Sequence, residues 1–427
     1  IMRSRRNFIK KSLLGGFSAP LLQYETHSAS SDLQSLSQKP SSDTDYWAAV
    51  RKHFILKEDQ VYFNNGTIGP TPAYVINKMT DHLMHYNTHA AETDYKKGSG
   101  PELLTGYFAY QALREKIGEI IHADYKSIAL IQNATFGMNY VANGLKLKAG
   151  DEIINTNQEH GGGYGAWKSL AKRHGLIYKQ ATMPLPANDP KEIFDAVFKL
   201  VNRKTKVIAI PHIVSVYGTI MPVKEICAEA HKLGIFTVLD GAQCVGQIKV
   251  DVQDIGCDAY YSSLHKWLLA PPGNGILYIN PDRIADVWTT IASYNWENQE
   301  DHGFRLMQNG TGNPALMAGF DASIDFFNAI GEDRWIGRIK TLGDYLRAQL
   351  QTLDKITIHS SVNPTMCAGL TTYALADWTG PELQKAMWTQ ERLQPRSVGT
   401  ELLRHSVHIY NNESEIDRAI DVMKGLS

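Results

Sequence analysis

Cysteine is scarce in this chain: Cys227, Cys244, Cys257 and Cys367 are the full set in 427 residues, and no two stand in Cys-x-x-Cys spacing. That spacing argues against a disulfide framework and a cysteine zinc site, and the four are read as buried thiols, with no metal expected. Charge of one sign is missing as well. Lys and Arg total 43 against 44 for Asp and Glu, a formal net charge of −1 with no long block of like charges, so nothing in the sequence asks for nucleic acid. Long apolar runs are lacking too. The longest, Leu13 to Leu22, is broken by two glycines and a proline and falls short of the ~20 residues a membrane-spanning helix needs. The expected partner is therefore a small molecule, with no nucleic acid and no membrane span. What the chain does have is 43% hydrophobic residues, enough to bury a large core divided over two or more domains.

At the start, Ser4-Arg5-Arg6-Asn7-Phe8-Ile9-Lys10 precedes a weakly apolar stretch over 12–22 and then small and polar residues including Ser28-Ala29-Ser30. This is the layout of a twin-arginine export signal. A disordered basic tail would account for the two arginines but not for Phe8 and Lys10 at their offsets. Residues 1–30 are read as that signal and 31–45 as a linker, and the expected location is the periplasm. The pathway carries folded, often cofactor-loaded proteins, which suits an enzyme that holds a cofactor tightly.

Beyond the linker, apolar runs alternate with helical patterns in the rhythm of a mostly parallel sheet covered by helices. Strands are predicted over 127–131, 152–156, 177–181, 207–210, 236–240, 259–262 and 275–279, with helices over 164–174, 190–201 and 222–233 among them. Leu113, Ile117, Ile120 and Ile121 form an earlier helix stripe. After about 315 the pattern changes to long helices over 316–330 and 334–353, short strands over 356–359 and 369–375, and a last helix from Ser414. The expected architecture is a large, doubly wound α/β domain over 46–315 and a smaller α+β domain over 316–427. Residues 46–104 are expected to contribute to the small domain or to an interface.

In an open parallel sheet the ligand sits beyond the carboxyl ends of the strands. The strand over 236–240 ends in Asp240-Gly241-Ala242-Gln243, where an exposed salt bridge alone would be the bland explanation. The strand over 259–262 runs into Ser263-Leu264-His265-Lys266-Trp267. A lysine just past an apolar strand, between a histidine and a tryptophan, is better suited to a desolvated reactive amine than to a solvated charge. The strand over 127–131 leads into Asn133-Ala134-Thr135-Phe136-Gly137 and a helix, offering backbone N–H groups and a hydroxyl to a phosphate, although a plain helix cap would look the same. Glu159-His160 follows the strand over 152–156, and Ser215 follows the strand over 207–210.

Asp240 to Gln243 and Ser263 to Lys266 together resemble the Asp-x-Ala-Gln and Ser-x-His-Lys segments of the class V aminotransferase family, fold-type I enzymes that use pyridoxal 5′-phosphate (PLP). The resemblance runs from about Val61 to Met423. It implies that Lys266 holds the cofactor as a Schiff base and shuttles the α-proton, that Asp240 pairs with the pyridinium nitrogen and that Gln243 donates to the phenolic oxygen. It places Ala134, Thr135, Phe136, Ser263 and His265 around the phosphate, His160 stacked on the ring and Ser215 near the cofactor. Gly310-Thr311 resembles the pair that reaches the phosphate from a second subunit, so a homodimer with shared active sites is expected. Arg404-His405-Ser406-Val407-His408-Ile409-Tyr410-Asn411-Asn412 resembles the family's Arg-x-Ser-x-x-x-Tyr-Asn-Thr ending, with Asn412 in place of Thr. The resemblance gives Arg404 the substrate α-carboxylate, a task that suits a bidentate fork.

The cofactor alone permits racemisation, transamination, elimination or decarboxylation. The segment that corresponds to the Arg-x-Gly-His-His-Cys loop of some cysteine desulfurases is Pro395-Arg396-Ser397-Val398-Gly399, which has no cysteine, and this disfavours desulfuration. Phe304-Arg305 and Asn309 to Pro314 look closest to the isopenicillin N epimerase-like branch. With the export signal, the pattern also resembles periplasmic PLP enzymes that tailor a siderophore side chain of the pyoverdine type. A cofactor-free binding protein that kept the fold is the reading from another class, and the intact Asp240, Gln243, His265 and Lys266 set speaks against it. The expectation is an exported PLP enzyme acting on the α-amino group of an amino acid or peptide-derived compound. Trp288, Tyr294, Trp296 and Tyr217 are candidates either to line its pocket or simply to pack. Replacing Arg5 and Arg6 by Lys should retain the protein in the cytoplasm when cell fractions are compared, whereas unchanged periplasmic accumulation would count against a twin-arginine signal.

Overall fold

A computed structural model describes residues 33, 36, 42–90, 109–293 and 296–426. The export-signal reading of residues 1–30 lies outside them, as does Tyr294. In chain order the strands are β1 (Val61–Tyr62), β2 (Ile128–Ile131), β3 (Glu152–Thr156), β4 (Ile177–Ala181), β5 (Thr205–Pro211), β6 (Phe236–Asp240), β7 (Ala259–Ser263), β8 (Gly275–Ile279), β9 (Ile356–Ile358), β10 (Leu370–Leu375), β11 (Leu393–Gln394), β12 (Arg396–Val398) and β13 (Leu402–Ser406). Seven of them form one sheet in the order β2-β8-β7-β6-β5-β3-β4. Within it only β8 is antiparallel to its neighbours. Strands β6, β7 and β8 are buried along their whole length, which is why they read as continuous apolar runs: helices cover both faces of such a sheet.

This fold is the one the sequence implied, a large α/β unit with a smaller α+β unit. The helix expected over 164–174 starts earlier, at Gly161. His160 caps it, its Nδ1 accepting from the backbone N–H of Gly162 at 3.1 Å, and this cap offsets the poor helix propensity of three successive glycines. At the front of the chain, the helix Asp43–Arg51 begins inside the stretch read as linker, capped by Ser42. Leu36 is buried, and its carbonyl accepts from the Tyr46 hydroxyl at 3.0 Å.

The second, four-stranded sheet has the order β12-β13-β10-β9 and is antiparallel throughout. Its core gathers Leu342, Leu346, Leu350, Tyr373, Leu403, Ile416 and Ile420 from the sheet and the helices Glu332–Leu350 and Glu413–Leu426. Val61 and Phe63 join this same core from far upstream, because β1 pairs in parallel with β11. Residues 64–69 then pass from the small sheet to the carboxyl edge of the large one.

The approach of the helix Ala134–Gly144 to the large sheet depends on Gly137. A Cβ at that position would collide with the Cβ of Tyr261 on β7. Gly137→Ala should push the N-terminus of this helix off the sheet, with an overpacking cost of roughly 1–3 kcal/mol. The checks are a lowered melting temperature of the apoprotein and weaker PLP retention on dialysis; an unchanged protein on both counts would show that the contact is not tight.

Candidate active site

A cavity of 360 Å³ opens at the carboxyl edge of the large sheet, lined by residues that follow β2, β3, β5, β6 and β7. Its size lies within the ~300–1,000 Å³ usual for small-molecule sites. The register explains the convergence. Pro211 of β5 stands level with Asp240 of β6, and Asp240 with Tyr261 of β7, so the residues after each strand enter the same space.

Lys266 lines the cavity and is half-buried. Burial lowers its ammonium pKa, Asp240 works against that, and Arg404 and Arg396 lower it further, to about 8. Residues 64–69 fix its backbone: Asn65 Nδ2 donates to the Lys266 carbonyl at 3.2 Å, and the Gly69 N–H donates to the His265 carbonyl at 2.8 Å. A Cβ at Gly69 would strike the Lys266 carbonyl oxygen, and only glycine allows this approach.

Asp240 is buried beside it, with its carboxyl pKa raised by burial against the opposing pull of the Ala242 N–H, Lys266 and His160. Its Oδ1 accepts from the Ala242 N–H at 2.9 Å. Gln243 is clamped behind the cavity. The Trp267 indole N–H donates to its Oε1 at 2.7 Å, and its Nε2 donates to the Gly66 carbonyl at 2.9 Å. The first bond settles the amide's orientation and leaves one of the two Nε2 hydrogens for a ligand.

At the opposite end, the helix Ala134–Gly144 points its N-terminus at the cavity. Ser263 Oγ accepts from the Ala134 N–H at 2.9 Å and keeps its own proton available. His265 has its pKa lowered to about 4, by burial first and Lys266 second, and its Nδ1 is buried with no hydrogen-bond partner among the described residues. His160, at the rim, has its pKa lowered chiefly by burial, and its capping bond to Gly162 favours the neutral ring. A Cβ at Gly162 would come within 2.7 Å of Thr135 Oγ1, and one at Gly163 within 3.0 Å of Asp240 Oδ2. These glycines keep the floor open for a flat ligand.

Arg404 reaches the cavity from β13. It is buried, its Nη1 donates to the Ser215 carbonyl at 2.6 Å, and burial, with Arg396 second, lowers its pKa to about 9. Of the residues singled out in the sequence, Ala134, Thr135, His160, Ser215, Asp240, Gln243, Ser263, His265, Lys266 and Arg404 share this one cavity. Phe136 turns away into a neighbouring groove with Tyr140 and Ile291, and Thr311 is exposed ahead of the helix Pro314–Ile330. Tyr217 is half-buried against the core, while Trp288 and Trp296 are exposed; none of the three lines the cavity. Gly66 and Thr67 line it too and were not singled out, and Arg396 and Val398, noted in the sequence only within the segment that lacks a cysteine, line it as well. A nucleophilic amine, a carboxylate beyond it and a helix N-terminus with spare donors fit PLP, with its aldehyde, ring nitrogen and phosphate respectively.

The sequence profile of the family described as Aminotransferase class-V matches residues 61–419. The chain belongs to the class V aminotransferase family. It is 32% identical over 400 residues to the isopenicillin N epimerase of Streptomyces clavuligerus, covering 89% of this chain and 98% of that protein. A cysteine desulfurase of Haloferax volcanii is 26% identical over 387 residues, covering 85% and 88%. Among solved structures, a variant of C-DES with glycine covalently linked to its PLP cofactor superimposes with a TM-score of 0.78 at 21% identity, covering 87% of this chain and 98% of that one. The chain is thus a PLP-dependent enzyme of this family.

The amine pKa sets a pH dependence. Only the free base attacks an aldehyde, so the rate of PLP capture by the apoprotein should rise with pH through about 8 and level off above it. Arg404→Ala removes a neighbouring positive charge and should move the inflection up. Asp240→Ala removes the opposing negative charge and should move it down. Stopped-flow absorbance would follow both, and a wild-type inflection at the ordinary lysine value of 10.5 would refute the desolvated amine.

Proposed function

We propose that the enzyme is exported and acts at the α-carbon of an amino acid or peptide-derived compound, as an epimerase or aminotransferase. The observation that carries this reading is that Lys266 shares one cavity with Asp240 and Arg404 and feels the charge of both. PLP, when bound, supplies the electron sink for the α-carbon. In this reading Lys266 anchors the cofactor and moves the α-proton at Nζ, and Asp240 keeps the ring nitrogen protonated. Gln243 donates its free N–H to the phenolic oxygen, and His160 lies over the ring. Ala134, Thr135, Ser263 and His265 surround the phosphate, with Phe136 shaping that loop and Ser215 presenting its carbonyl to Arg404. Arg404 takes the α-carboxylate as a two-pronged donor.

The homodimer and Thr311 belong to the same proposal: an exposed Thr311 acts at a phosphate only when a second copy brings it there. Support for epimerase chemistry comes from the relationship to the Streptomyces protein over nearly its whole length. The desulfurase reading lacks a nucleophile. Among the described residues no cysteine lines the cavity, and Cys367, the candidate nearest in sequence to the C-terminal motif, is buried with its Sγ 3.2 Å from the Asn363 carbonyl. Siderophore side-chain tailoring is the narrower form of the proposal, supported by the export-like N-terminus.

Borohydride reduction and peptide mapping should place the pyridoxyl group on Lys266. Incubation of the holoenzyme with amino compounds in D₂O should give α-deuteration, with keto-acid release marking an aminotransferase and its absence an epimerase; no exchange with any of them would overturn the reading. Asp240→Ala should slow exchange at least about a hundredfold while retaining part of the cofactor, whereas Arg404→Ala should act through KM.

A further inference from the structure

The substrate side of the cavity carries two guanidinium groups where one α-carboxylate needs only one. Arg396 on β12 stands directly opposite Arg404 on β13 in the antiparallel register, and both side chains line the cavity. They meet at one atom. Thr67 Oγ1 accepts from Arg396 Nη1 at 2.6 Å and from Arg404 Nη2 at 3.1 Å, and it donates to Asn64 Oδ1 at 2.6 Å. The remaining contacts of Arg404 are neutral, to the Ser215 carbonyl and Asn64 Oδ1, and its buried Nε has no hydrogen-bond partner among the described residues.

Three well-buried arginines here are matched by acids, Arg114 by Asp301, Arg338 by Glu413 and Arg347 by Asp344, whereas buried Arg305 donates to the Val287 carbonyl at 3.0 Å. Among the described residues neither Arg396 nor Arg404 has a carboxylate within ion-pair distance. Among the described residues Asp240 is the single carboxylate lining the cavity, and it is committed to the ring nitrogen in the reading above. Two like charges that converge on a shared hydroxyl repel each other, and in a partly dehydrated site that repulsion is strong. An α-carboxylate compensates one of them. The second, Arg396, stands at the mouth with no carboxylate partner among the described residues and is open to an anion on the ligand.

We infer that Arg396 reads a second carboxylate, so that the preferred substrate is an acidic α-amino acid with a free side-chain carboxylate. Arg404, which is buried, takes the α-carboxylate deep in the cavity, and Arg396, which is exposed at the mouth, takes the side-chain carboxylate. Thr67 holds the two guanidinium groups apart at a fixed spacing. This inference rests on the proposed role of Arg404 and adds to it the class of side chain accepted.

Non-reacting acids separate the two ideas, because their binding needs no turnover. Calorimetry on the holoenzyme should find glutarate or succinate binding at least about tenfold more tightly than butyrate, the gain expected from one charge-assisted pair. Arg396→Gln should bring the dicarboxylates down to the butyrate level, and Arg396→Lys should keep part of the preference. In D₂O exchange, Arg396→Gln should raise KM for glutamate far more than for glutamine, with kcat moved little. Equal binding of glutarate and butyrate by the unaltered enzyme would overturn the inference. So would an Arg396→Gln variant that weakens both acids by the same factor, since the two arginines would then share one carboxylate. Failure of the broader reading shows elsewhere, as a pyridoxyl label on a lysine other than Lys266.

Discussion

An amine must be kept out of water beside positively charged neighbours for this site to exist, and much of its surroundings serves that requirement. Desolvation lowers the Lys266 pKa most, and Arg404 and Arg396 add to the effect. The backbone that carries the amine is held in place. The hold comes from Asn65 and Gly69, which bond the carbonyls of Lys266 and His265, and from Trp267, whose buried ring stacks on His408 at 5.5 Å between centroids. His408 in turn bonds the Trp267 carbonyl through Nε2 at 3.1 Å. The lysine's freedom is thereby confined to its side chain, which is the part that must move.

The two cores divide the chemistry. The large parallel sheet supplies groups suited to a cofactor: Asp240, Gln243, Ser263, His265, Lys266 and the N-terminus of the helix Ala134–Gly144. The small antiparallel sheet supplies Arg396 and Arg404, which line the same cavity. Changes in the second set can alter what is bound without disturbing the electronics of the first. A family with one cofactor can diversify its substrates through that separation.

Strands β2, β5 and β8 were legible because burial on both faces leaves runs of Val, Ile and Leu, and the lysine was legible because a charged residue follows closely on a buried strand. The rest of the cavity had no comparable signal. β1, β11 and β12 are two or three residues long, too short for any periodicity, and they place Thr67 and Arg396 beside Arg404. The tight approach at Gly69 depends on a carbonyl nearly two hundred positions later, and no local pattern encodes it. One element did have a local mark: the capping box of Thr379 and Glu382 opens the helix Gly380–Glu391, and a Thr-x-x-Glu spacing is readable in sequence.

The strap over residues 64–69 also has a bearing on the order of assembly. Tyr410 hydrogen-bonds Asn65 across 345 positions of sequence, and Asn411 bonds the Tyr62 carbonyl across 349. Contacts this distant form late, because the entropy of closing so long a loop opposes them until most of the chain is in place. A ribosome-bound chain that already contains Asn65, Gly69 and Lys266 therefore still lacks the Tyr410 and Asn411 bonds that steady the strap. The strap that steadies the lysine's backbone is thus itself steadied only in a chain whose segment after the last strand has docked.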